Sequence, residues 1–294
     1  MRLRKDSRPR LACEFSSSQV VAARADEAGA IDQSVVRTLR PGALAPSLTG
    51  SNLVGGEAVK TVLQEAWSGL GGRRRDAVVI LPDAACRVVL LDFDALPEKR
   101  EEADAVVRFR LKKSLPFEVE KARVSWQAQR VGDKLTVLAA VVLDSVLEEY
   151  EGLVRAVGGS PGVVLPAMLA SLGLVEGSRA TLAIKVDAST TSIAIVNQGA
   201  VLLMRTLDHA SGKPPQGAQL AEDVYSSLVF FQDSYGPRVE KILVGGAVVV
   251  EELEAALLEA TGVQAEELTA VRGLASYAGP QRAALGAVAG ALAN

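Results

Sequence analysis

An α/β protein made of two similar halves is predicted by three features of the 294-residue sequence. Strand-like and helix-like stretches alternate from end to end, which is the pattern of βα units rather than of an all-β or all-α chain. A strand ending in an acid, then a hydroxyl-rich turn, then a second strand occurs twice, at residues 14–21 and 187–194, 173 residues apart. With 49% hydrophobic residues, the chain has apolar material for about two domains.

Apolar, β-branched runs predict strands at 10–15, 19–23, 77–82, 87–93, 135–143, 181–187, 192–196, 200–205 and 241–245. Helical periodicity predicts helices at 57–68, 97–113, 144–157, 217–235, 250–261 and 280–293. The helix at 97–113 carries Glu98, Glu101, Glu102 and Asp104 early and Arg108, Arg110, Lys112 and Lys113 late. Those charges complement the helix dipole at both ends, and Pro116 stops the helix, as in an amphipathic surface helix. Asn197-Gln198-Gly199 reads as a three-residue loop closing a hairpin.

Composition excludes several classes. A net charge of -3 leaves no basic surplus for general nucleic-acid binding. The basic start, MRLRKDSRPR, reads as a solvated tail or as an arm drawn to anionic lipid or an acidic partner. No apolar run approaches the ~18 residues of a spanning helix, and no apolar signal segment follows the basic start. Cys13 and Cys86 sit in apolar text and read as buried thiols of a reducing compartment. His209 is the only histidine, in a loop-like context, so a His-based metal cluster or a Ser-His-Asp triad would rest on it alone. Arg73-Arg74-Arg75 reads as a solvated loop.

The two acidic turns have the chemistry of phosphate loops. Backbone N–H groups and hydroxyls can point at an anion while a carboxylate holds Mg²⁺ through water. On that reading Glu14 and Asp187 organise the metal, and Ser16, Ser17, Ser18, Ser189, Thr190 and Thr191 face phosphate. Gly245-Gly246, ending the strand at 241–245, would let a flat adenine approach the backbone. The plainer reading is of ordinary hydrogen-bonded turns and a strand-to-helix corner.

The order of these elements resembles the actin-like ATPase superfamily, and the text of residues 78–127 with its Leu115-Pro116-Phe117-Glu118-Val119-Glu120 core resembles the PilM family of type IV pilus assembly. DASTTSIAIVNQG, AEDVYSSLVFFQDSYG, KILVGGAVVVEELEAALLEATGV and ALGAVAGALAN extend the likeness over nearly the whole chain. The resemblance implies an actin-like fold of duplicated RNase H-like halves with a small inserted domain of the FtsA type. It divides the chain into a first actin-like domain (1–86 with 145–178), the insertion (87–144) and a second actin-like domain (179–294), the carboxy-terminal helix packing back on the first. It also implies a cytoplasmic protein held at the inner membrane by its partners. The partner is the cytoplasmic amino-terminal segment of a PilN-like membrane protein, lying in a groove between the first domain and the insertion, with the surroundings of Leu115–Phe117 as the region to inspect.

The implied cofactors are ATP and Mg²⁺, with Glu222 on a helix near the nucleotide. The chain departs from the family's phosphate turns. Ser16 stands at a glycine position, Val21 near a lysine, and Ser189 at a second glycine. The expectation is therefore a scaffold with weak or absent nucleotide binding and little or no ATPase activity. A working ATPase whose nucleotide state regulates assembly is the alternative. An FtsA-like polymer former is disfavoured because GAVAGALAN has no basic face for a membrane anchor.

Overall fold

Residues 8–71, 75–209, 216–236, 238–246, 251–271, 274, 277 and 279–293 are described by the computed structural model. Most of the basic start (1–7), Arg73, Arg74, part of the loop after His209 (210–215) and Ala247 lie outside the described residues.

The strands assemble into three sheets. The first contains β1 (Leu11–Phe15), β2 (Gln19–Ala25), β3 (Ile31–Thr38), β4 (Asp76–Leu81) and β8 (Ser160–Pro166), in the order β3-β2-β1-β4-β8. The second contains β9 (Thr181–Val186), β10 (Thr190–Asn197), β11 (Ala200–Asp208), β12 (Lys241–Gly246) and β13 (Ala265–Glu267), in the order β11-β10-β9-β12-β13. Each is an antiparallel three-stranded meander continued by two parallel strands. The two halves therefore share one topology.

Residue pairings fix how the halves correspond. Glu14 pairs with Val21 in the first sheet and Lys185 with Ser192 in the second, and both pairs lie the same distance from the turn. Ser16 N–H donates to Gln19 O at 2.9 Å, and Asp187 N–H donates to Thr190 O at 2.8 Å, closing the two turns identically. Glu14 thus corresponds to Lys185, and Ser16 to Asp187, a shift of 171 residues. The sequence comparison had set Glu14 against Asp187. The hydroxyl runs of both turns still match when slid by two residues, and a two-residue slip keeps every strand face unchanged.

Alternation along β1 builds two layers. Leu11, Cys13 and Phe15 face α1 (Gly56–Ser68) and α3 (Asp144–Ala156) in one core, which also holds Cys86, and both thiols are free and buried. Ala12 faces the opposite core with Val21, Ala23, Val78 and Ile80. That core is closed by α4 (Ala167–Ser171) and α8 (Gly286–Ala293), and Leu243 and Leu268 of the second half join it. The carboxy-terminal helix of small residues lies so close that a Cβ on Gly290 would sit 2.1 Å from Ala170 O. The predicted helix at 280–293 is broken at Ala284–Leu285, with α7 (Gly279–Ala283) before the break. On the second sheet, α5 (Gly217–Tyr235) and α6 (Glu251–Thr261) cover the face of Leu182, Ile184 and Val186.

The third sheet, β5 (Arg87–Phe93), β7 (Lys134–Leu143) and β6 (Ala122–Val131) in the order β5-β7-β6, packs with α2 (Arg100–Leu111) around Val107, Leu111, Val137 and Val141. Gly132-Asp133 closes its long hairpin, with φ 59° at Gly132, as a glycine-first two-residue turn requires. Gln129 ties the sheet to the second half, exchanging hydrogen bonds with Val201 N and O. The β10–β11 hairpin also has a two-residue turn, Gln198-Gly199, with both φ positive (49° and 76°), instead of the expected three-residue loop.

Candidate functional site

The two acidic turns meet at the junction of the halves. Glu14 points out of β1 on the side of the second sheet, and Lys185 points out of β9 toward it. Lys185 Nζ lies 3.0 Å from Glu14 Oε1 and also bonds Asp187 Oδ2. Asp83, in the turn after β4, joins the same cluster. Its Oδ1 accepts the Met168 N–H at 2.9 Å and its Oδ2 accepts the Ser192 hydroxyl at 2.7 Å. Lys185, Glu14, Asp187 and Asp83 are each at most 5% exposed.

Burial sets the electrostatics. It works against the Lys185 ammonium, but Asp187, Glu14 and Asp83 outweigh it and hold the lysine well above its usual range, so it stays charged. Burial pushes the Glu14 carboxyl up to about 7, even with Lys185 opposing. Asp83 is also raised by burial, against the pull of Lys185, the Met168 N–H and Ser192.

The other residues named from the sequence are placed as follows. The Ser16 hydroxyl accepts the Gln19 N–H at 3.1 Å and donates to Gln19 O at 3.2 Å, so it closes its own turn. Ser18 lies 3.4 Å from it, oxygen to oxygen. Ser17 Oγ and Asp187 Oδ1 are buried with no hydrogen-bond partner among the described residues. His209 wraps the second turn, its Nε2 2.9 Å from Thr191 Oγ1 and its backbone N–H on Ser189 O at 2.8 Å. Thr190 is buried beside it. Glu222 is exposed on α5, where it accepts a hydrogen bond from Gln219. Gly246 lies against Val186, whose carbonyl oxygen a Cβ would meet at 2.1 Å, and a Cβ on Gly245 would meet Leu268 at 3.0 Å. Both glycines are held tight by protein.

Lys185 and Asp83 were missed. The sequence reading took Val21 as the place where a lysine is lost. The structure supplies a lysine instead from the opposite half, on β9. A charged residue alone in the apolar text TLAIKV was the available signal, because a fully buried lysine requires acidic partners.

Do these residues fit Mg–ATP? Ser17 Oγ is an unpartnered hydroxyl that could donate to phosphate and Asp187 Oδ1 is an open acceptor, but Glu14 and Asp187 Oδ2 are already taken by an ammonium fixed between them. A dication at these acids would lie against that positive charge, and a triphosphate would meet three carboxylates and one lysine. Among the described residues no group of three or more His, Cys, Asp or Glu is arranged to hold a metal ion. The residues present do not fit Mg–ATP.

A second feature is a groove of about 730 Å³ between the first sheet and the third. Leu81, Cys86, Val141, Leu147, Val164 and Pro166 make its apolar lining. The Arg123–Asp144 pair at 3.5 Å, the Arg155–Glu151 pair and Glu148 make its charged rim. Leu115 and Phe117 do not line it; they pack on the core of the third sheet.

No family model matches the sequence, and no curated protein does. Solved structures do match the fold. A chain of the PilM–PilN type IV pilus biogenesis complex superposes with a TM-score of 0.78 at 19% identity, covering 97% of this chain and 98% of that one. The cytoplasmic domain of EpsL, an inner membrane component of the type II secretion system of Vibrio cholerae, gives 0.58 at 12% identity, covering 97% and 94%. A Bacteroides thetaiotaomicron protein of unknown function with an actin-like ATPase fold gives 0.52 at 12% identity, covering 90% and 92%. With its two RNase H-like halves and small added sheet, this chain has the actin-like ATPase fold in the form found in the PilM–PilN complex.

Proposed function

We propose that this protein is an actin-like scaffold of a type IV pilus, or related secretion, platform at the inner membrane. It binds the cytoplasmic amino-terminal segment of a PilN-like membrane protein and is held at the membrane by that partner. The observation carrying this reading is the groove of about 730 Å³ between the first and third sheets, in a fold shared over its length with a chain of the PilM–PilN complex. Its apolar lining and charged rim suit a short extended segment with apolar anchors. The domain division goes with the reading: 1–86 and 145–178 form the first domain, 87–144 the insertion and 179–294 the second. Among the described residues no helix is long and apolar enough to cross a membrane, which fits recruitment through a partner.

The nucleotide site is degenerate in this reading, and ATPase activity is weak or absent. A working ATPase is the competing reading, and the unpartnered Ser17 and Asp187 oxygens favour it. The lysine held between the acids weighs against it. Titrating the full chain with a PilN-like amino-terminal peptide tests the scaffold: saturable binding supports it, and no binding at high micromolar peptide contradicts it.

A further inference from the structure

In a two-lobed fold whose cleft takes a metal and a nucleotide, those ligands bond to both lobes and hold them together. Here the bonds across the junction are made by the protein. Lys185, from the second sheet, bonds Glu14 of the first at 3.0 Å and also Asp187 of its own turn. Ser192, also from the second sheet, donates to Asp83 of the first at 2.7 Å, and Asp83 is held in place by the Met168 N–H. All of these groups are buried.

We infer that Lys185 is the resident cation of the cleft: its ammonium bonds one acid from each lobe where a metal would otherwise be needed, and so keeps the lobes joined without metal or nucleotide. The geometry carries the point. An ammonium is a fixed single charge delivered by the chain itself, and it contacts one acid from each half. A bound cation is commonly the largest charge in such a site, and buried acids that keep their charge need one beside them. The orphan Asp187 Oδ1 fits this account, because one ammonium cannot satisfy every oxygen that a hydrated dication would reach. This inference rests on the degenerate-site part of the proposed function and is independent of the peptide groove.

The test removes the resident charge and offers a replacement. Thermal unfolding of the full chain is followed for the wild type, Lys185→Ala, and a neutral triple variant, Glu14→Gln with Lys185→Met and Asp187→Asn. Each is measured alone, with Mn²⁺, and with Mn²⁺ plus ATP. The expected result is a wild-type midpoint unmoved by Mn²⁺ or Mn–ATP. Lys185→Ala is expected to unfold several degrees lower and to recover at least half of the loss with Mn²⁺ alone. The triple variant is expected to fold and to ignore the metal. Should Lys185→Ala fail to fold under any condition while the triple variant folds, the unneutralised acids are the cause and the inference stands. The inference is overturned if Mn–ATP raises the wild-type midpoint and Lys185→Ala abolishes that rise, because the lysine is then a phosphate ligand. It is equally overturned if Lys185→Ala folds without recovering on Mn²⁺, or if the triple variant does not fold. Failure of peptide binding would leave these readouts unchanged, so the two proposals fail separately.

Discussion

Glu14 and Lys185 occupy equivalent positions in the two halves of the molecule and are bonded to each other, 3.0 Å apart, across the junction. An acid on one side and a base on the other stand at the same point of the shared topology. The bond therefore joins each half to the counterpart of its own residue. Two acids at these positions would repel, with no cation between them.

Removing the base alone should be costly. Lys185→Met keeps the length of the side chain but leaves Glu14 and Asp187 buried without their counter-charge. Breaking a buried pair in this way costs about 3–5 kcal/mol. Chemical denaturation at neutral pH should show that loss, and Glu14→Gln added to Lys185→Met should recover part of it.

Stability should fall as pH rises through the range where Glu14 ionises. Its folded carboxyl is raised from 4.5 to about 7, so between those values the folded state holds a proton that the unfolded chain has released. Unfolding then releases a proton, and stability declines with increasing pH across that window. The decline amounts to something on the order of 3 kcal/mol for this group. Denaturation series at several pH values in wild type and Glu14→Gln check it, and the variant should lose that slope.

Gly290 should tolerate no side chain. A Cβ there would lie 2.1 Å from the Ala170 carbonyl oxygen and 3.2 Å from Ser171 Cα, backbone atoms that have little room to move. Gly290→Ala should cost about 3 kcal/mol, near the upper end of overpacking effects, and lower the melting midpoint. Gly132→Ala at the exposed hairpin turn has open space around it but a φ of 59°, so backbone strain alone should cost it about 1 kcal/mol.

The groove makes a separate prediction. Val142 lines it and is only partly buried, so Val142→Arg places a charge against the groove's apolar lining. Peptide affinity should drop at least tenfold, about 1.4 kcal/mol, while the melting midpoint stays within a degree or two. Calorimetry on the variant and the wild type, with the same peptide, separates these outcomes.

How much of this was legible in the sequence depended on burial. Strands buried on both faces, such as β4, β9 and β12, announce themselves as apolar runs. The strand β3, IDQSVVRT, and the strand β6, ARVSWQAQRV, are half-exposed and rich in polar residues, and neither stands out as an apolar run. The strand β8 escaped because Pro161 and Gly162 open it. At the candidate site, Glu14, Ser16 and Asp187 were found because acids and hydroxyls at strand ends stand out. Lys185 was hidden inside a strand that otherwise reads as core, and Asp83 inside a proline turn. Local text shows which residues are unusual, but not which of them meet across a separation of 171 positions.

The most direct test of the central claim is a calorimetric titration of the full wild-type chain with Mg–ATP. With Lys185 fixed between Glu14 and Asp187, no saturable heat is predicted at concentrations up to high micromolar. Micromolar binding that disappears in Asp187→Ala would contradict the account and make the cleft a working nucleotide site.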